Sequence, residues 1–136
     1  MGLSVIARIT GNQEWLTIAE SRAEGVVSAG YGLYSSTMAR VTLALVAIER
    51  GDLVMAEDLY TNLASVPGIM VFYVNTDRIL GLLSVTLGRL DQAMTHFEDA
   101  LAFNRRAGYR PDLAWACYDY ADALGSRNAD GDQAKA

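Results

Sequence analysis

Residues able to do chemistry are few in this chain, and they are scattered. Asp119 and Asp122 stand three apart, a spacing that places two carboxylates on one side of a helix. Glu57 and Asp58 form a second acidic pair. Paired carboxylates can hold a divalent cation or share a proton in acid–base work. Neither pair has the additional oxygen ligands or basic neighbour that such work requires. His96 is the sole histidine, with no cysteine or second histidine close in sequence to complete a metal site. Cys117 is the sole cysteine, which excludes an internal disulfide and a cysteine zinc cluster. A reactive thiol wants an adjacent cation, and none lies near Cys117 along the chain. It is expected as a small core hydrophobe on the inner face of the last long helix. No glycine-rich phosphate loop ending in lysine is present. These residues predict no catalytic group, no bound metal and no cofactor, and they argue against an enzyme.

The bulk properties point the same way. The 136 residues carry a net charge of -5 and a pI near 4.7. Nucleic-acid binding rests on clustered cations, so direct binding to nucleic acid is not expected. The tightest basic group, Arg105-Arg106 with Arg110, reads as a solvated helix end where cations offset the helix dipole. The apolar runs 41–48 and 79–88 are far shorter than the ~18 residues a membrane-spanning helix needs. Residues 2–10 are apolar but lack the small-residue cleavage pattern of a signal peptide. A single cysteine suits a reducing compartment, and a cytoplasmic location is the expectation.

The elements that must position these residues are helices. Asn12 is placed to cap a helix over 12–29, and Gly30-Tyr31-Gly32 breaks it. Ser36 is placed to cap a helix over 36–50, and a further helix spans 53–64. Val66-Pro67-Gly68 is a turn. Residues 69–74 are β-branched and aromatic, the least helix-like stretch, and can be extended. Asn75 or Thr76 begins a helix to Leu87, with Asp77 favourable in its first turn. A helix over 91–107 places Ala93, Phe97, Ala100 and Leu101 on one stripe. Pro111 suits the first turn of a helix ending at Leu124. The polar tail from Ser126 is expected to fray.

A repeat runs through this order. Gly51, Gly88 and Gly125 recur at intervals of 37 residues, each after a helical stretch. Alanine follows the first two by five residues (Ala56, Ala93), and an aromatic follows by nine (Tyr60, Phe97). A glycine can end a helix in the left-handed conformation. The alanine then lets a second helix approach closely, and the aromatic fills the space beyond it. At these residues the chain resembles the tetratricopeptide repeat. Gly81, Gly88, Ala93, Phe97 and Ala100 follow that family's order of small residue, glycine, alanine, aromatic and alanine. Ala44, Gly51, Ala56 and Tyr60 follow four of the five, with Leu63 in the last position. The third copy departs, with Tyr118 where a small residue belongs, and it stops early. The string 87–101 looks much like repeats in bacterial ATP-dependent LuxR-like activators and AAA-linked nucleotide cyclases.

The resemblance implies an all-α solenoid of antiparallel helix hairpins, with about six to seven helices in one domain over 1–136. Its repeats would lie at 36–64, 75–107 and 111–136, the last incomplete, with 12–29 as an additional helix. It further implies a concave groove that holds a protein or peptide, lined by Glu49, Arg78, Leu82, Trp115, Asp119 and Asp122. The function expected is protein–protein interaction within a larger bacterial signalling or transcription-regulating protein. A small-molecule-sensing domain, with its pocket near Tyr73, Arg78 and Trp115, is the alternative. Solenoids end in polar caps, yet the last helix carries Tyr118 and Tyr120. Either the chain is part of a longer repeat protein, or this end self-associates into a homo-oligomer.

Overall fold

The computed structural model describes residues 2–129 and 131–136. Eight helices and one small hairpin follow in order among them. They are α1 (Gly2–Thr10), α2 (Gln13–Ser28), α3 (Leu33–Arg50), α4 (Leu53–Leu63), β1 (Met70–Val71), β2 (Val74–Asn75), α5 (Thr76–Thr86), α6 (Leu90–Ala107), α7 (Arg110–Arg127) and α8 (Asp132–Lys135). The chain is all-α, with one helix more than the upper figure read from the sequence. Turns of a few residues join most helices, so each must fold back on its predecessor. No helix among the described residues is long and apolar enough to cross a membrane.

The described chain divides into two compact units, one through Ser65 and one from Val66. In the first, α3 is the central element: every residue from Val41 to Ala47 is buried, and α1, α2 and α4 all pack on it. Ala7, Leu16, Ala19 and Val46 form one cluster of this core. Arg8 reaches Glu49 at 3.4 Å, and Arg50 reaches Glu20 at 2.8 Å. Two expectations change here. Residues 2–10, not assigned to any element by the sequence, form a helix. Helix α3 begins a turn before Ser36, whose hydroxyl donates to the Tyr31 carbonyl at 2.6 Å instead of capping the helix.

In the second unit α5 is buried from Thr76 through Ser84. It packs on α6, α6 packs on α7, and α7 packs on α8. Gly81 faces the Phe97 ring so closely that a Cβ there would lie 2.8 Å from it. The glycine sets how near the two helices come, and Phe97 is fully buried in the space it leaves. Of the three evenly spaced glycines, Gly51 and Gly88 take positive φ (64° and 73°) and end their helices. Gly125 does not: α7 runs through it to Arg127 and ends at Asn128, itself left-handed at φ 48°. Nor is the described part of the end, 126–129 and 131–136, a fraying tail. Arg127 pairs with Asp91 and Asp132, and Asp132 accepts the Ala129 N–H at 2.8 Å.

Candidate functional site

One set of charged groups of the second unit converges on α5. Asn75 caps that helix, its Oδ1 accepting the Asp77 N–H at 2.7 Å. One residue further, Arg78 turns into the interior beside α7. Its Nη1 donates to Asp112 Oδ1 at 3.0 Å and its Nε to Asp119 Oδ2 at 2.7 Å. Its guanidinium carbon lies 5.4 Å from the centre of the Trp115 ring, a cation–π distance. Asp112, Trp115 and Asp119 are spaced three and four, so α7 offers all three from one face. The second oxygen of Asp112 accepts the Asn75 N–H at 3.1 Å and the Asn104 amide at 2.9 Å. Buried polar groups are tolerable when partnered in this way. Here one arginine and two carboxylates bind one another.

Several expected site residues are therefore placed differently from a shared surface. Arg78, Asp119 and Leu82 are buried. Trp115 is half-buried against Arg78. Asp122 is exposed, so the two aspartates part company. Three residues turn a helix by about 300°, and this pair straddles the boundary between buried and solvent sides. Glu49 belongs to the first unit and is held by Arg8. Tyr118 and Tyr120 also diverge. Tyr118 is 63% exposed and meets Trp115 edge to face at 6.2 Å. Tyr120 is buried near Phe97, with ring centres 5.9 Å apart, and donates to Glu98 at 2.8 Å. Burial, then the Glu98 hydrogen bond, push its phenol up to about 12. Tyr120 thus belongs to the core and not to an exposed end.

Cys117 is exposed, correcting its assignment to the core. It lines a groove of about 380 Å³ with Leu101, Arg105, Tyr120 and Lys135. Those cations come from other helices, so nothing near Cys117 in sequence could announce them. His96 also has a partner that sequence did not show: its Nδ1 lies 4.0 Å from Asp77 Oδ1. Burial raises the Asp77 carboxyl above its ordinary range, against the opposing effects of the Gly68 N–H and His96. Burial lowers the His96 imidazole, against Asp77 and Asp99. At 4.0 Å the pair is a long ion contact, not a hydrogen bond. Among the described residues no three His, Cys, Asp or Glu gather to hold a metal.

The β1–β2 hairpin stands at the start of α5. Met70 pairs with Asn75 and Val71 with Val74, leaving Phe72 and Tyr73 as a two-residue loop. Its base is tied tightly. Thr76 Oγ1 donates to the Val66 carbonyl at 3.1 Å and accepts the Ile69 N–H at 3.0 Å. The Thr76 N–H donates to the Ile69 carbonyl at 2.9 Å. Phe72 sits at φ 58°, and Tyr73 does not share that positive φ. Positive φ at only the first loop position is the II′ pattern, in which glycine leads. A bulky residue there is a genuine outlier.

No family model, curated protein or solved structure matches this chain.

Proposed function

We propose that this chain is a protein-interaction module built from tetratricopeptide-like helix hairpins. We place it as a regulatory or scaffolding part of a larger bacterial signalling or transcription-regulating protein. The close fit of Gly81 on Phe97 supports the hairpin reading, because both residues carry the resemblance. One observation supports the function above others. Arg78, Asp112 and Asp119 are turned on each other inside the second unit, while large aromatics stand at its surface. Tyr118 is exposed beside Trp115, and Trp115 is backed by an arginine that its own aspartates hold in place. Aromatics presented from a rigid base are the usual anchors of protein interfaces.

The test is selection of random displayed peptides on the immobilised chain. Convergent sequences should emerge, and their binding should weaken by about tenfold in a Trp115→Ala, Tyr118→Ala chain that still melts cooperatively. Failure to enrich any sequence would remove this reading. The groove beside Leu101 and Cys117 favours a second reading, small-molecule sensing. A metabolite that raises the melting temperature of the native chain, but not of a Leu101→Trp chain, would favour it.

A further inference from the structure

Three of the arginines outside the Arg78 network gather at one end of the second unit. Helix α6 finishes with Arg105 and Arg106, and α7 begins with Arg110. All three are exposed. The hairpin stands at this same end. Asp112 of α7 accepts the Asn75 N–H of β2 and the Asn104 amide of α6, which keys the three segments together. Burial, and then the nearby Tyr73 phenol of the loop, raise the Tyr109 phenol above its ordinary range. Phe72 and Tyr73 are 54% and 65% exposed, and Ile69 is exposed beneath them. Residues 66–75 and 102–111 contain these three arginines and no acidic residue, in a chain whose net charge is -5. Of the carboxylates next along the chain, Asp77 and Asp112 are buried with partners of their own, and Asp99, on the preceding turn of α6, is exposed.

We propose that this end docks an acidic segment of another protein, one that carries aromatic or aliphatic side chains between its carboxylates. The inference rests on the interaction-module reading and names its partner's chemistry. Arginine forks match carboxylates, and the paired aromatics supply rigid apolar area. The hairpin is ordered before binding by Thr76 and Asp112, so docking costs little further entropy. Phe72 is held where glycine would be easier, so the fold keeps a ring at the tip against its backbone preference. Single-stranded nucleic acid also pairs with arginine and aromatic surfaces. Three cations on an acidic chain make a weak phosphate track, because the surrounding negative field repels a polyanion. A short acidic segment meets that repulsion over far fewer charges.

The test uses the whole chain and two probes, random peptides displayed on phage and a short oligothymidylate. Peptides enriched on the native chain should be rich in Asp and Glu with interspersed aromatic or aliphatic residues. Their binding should weaken as salt is raised. Phe72→Gly relieves the backbone strain, so the chain should melt no earlier than the parent yet bind those peptides about tenfold more weakly. Arg105→Glu with Arg106→Glu should weaken them at least as much. Enriched peptides that lack acids, or that bind the Phe72→Gly chain unchanged while losing the Trp115→Ala, Tyr118→Ala chain, would overturn this assignment and leave the module reading standing. Oligothymidylate bound by the native chain and lost from the arginine variant would overturn it in favour of nucleic acid. No enrichment on any chain would remove both.

Discussion

Arg78 and Arg127 do the same thing in two different solvents. Each arginine joins two aspartates supplied by other parts of the fold: Asp112 and Asp119 for Arg78, Asp91 and Asp132 for Arg127. The first set lies inside the second unit, with each side chain almost completely buried. The second is split: Asp132 is buried at 3% exposure, whereas Asp91 is 94% exposed. A buried ion pair is a poor source of net stability, because desolvation offsets the attraction, but breaking it strands charge away from water. An exposed pair gains little and loses little. The same bonds are therefore structural keys at Asp112, Asp119 and Asp132, and trim at Asp91.

The largest predicted effect breaks the buried set. Arg78→Ala leaves two carboxylates inside and should cost about 3–5 kcal/mol in urea unfolding. Adding Asp119→Leu should return part of that loss by removing one stranded charge. A loss no larger than that of Asp91→Asn, at the exposed arm of the Arg127 set, would erase the distinction between buried and exposed pairs. A smaller effect lies beside Arg78 on the same helix. Gly81→Ala pushes a methyl group into the Phe97 ring and should cost about 1–3 kcal/mol. Phe97→Leu in that background should then be less harmful than Phe97→Leu alone, an interaction that a double-mutant cycle reads directly.

Third comes the half-buried contact between His96 and Asp77, intermediate between the two arginine sets. The folded imidazole titrates below its ordinary value of 6.5. At higher pH it is neutral in both states. As pH falls below 6.5 the unfolded chain takes the proton first, so stability should decline until the folded histidine is protonated too. The Asp77 carboxyl is raised above 3.8 and acts in the opposite sense. Between 3.8 and its raised value the folded chain keeps a proton that the unfolded chain has released, so stability falls as pH rises through that window. His96→Gln should flatten the decline below 6.5 in a pH series of thermal melts and leave the acidic window in place. Asp91→Asn, which weakens only the exposed arm of the Arg127 set, should show the smallest effect of all, indistinguishable from the parent in a thermal melt at moderate salt.

The sequence carried the α5–α6 hairpin well because its signals are local. Asn75 caps, Asp77 sits in the first turn, Gly88 turns left-handed, and Ala93, Phe97 and Ala100 repeat at helical spacing. Helix α7 was harder to orient. Its buried stripe follows Ala116, Tyr120, Ala123 and Leu124. A stripe through Cys117, Ala121 and Leu124 begins one residue away, about 100° around the helix. Aromatics on both sides gave no contrast to choose between them, so Cys117 was turned inward and Tyr120 outward. The Arg78 network was not legible as a network. Its partners lie 34 and 41 residues away, and long-range pairing leaves no periodicity. Acids at 112 and 119, flanking Trp115 on one face, were the signal that something basic belonged opposite. The hairpin was visible only as extended-chain composition, because nothing in Phe72-Tyr73 announces a tight turn.

One carboxylate, Asp112, also fixes what can move independently. It holds the first residue before α5, a side chain of α6 and the arginine of α5 while itself belonging to α7. Helix α7 cannot swing away without releasing the Asn75 amide, and that amide is otherwise buried. Its exchange with deuterated solvent is therefore a clock for α7 departure. An opening confined to the aromatic loop would leave it protected, whereas peeling of the last long helix would expose it together with the helix's own amides.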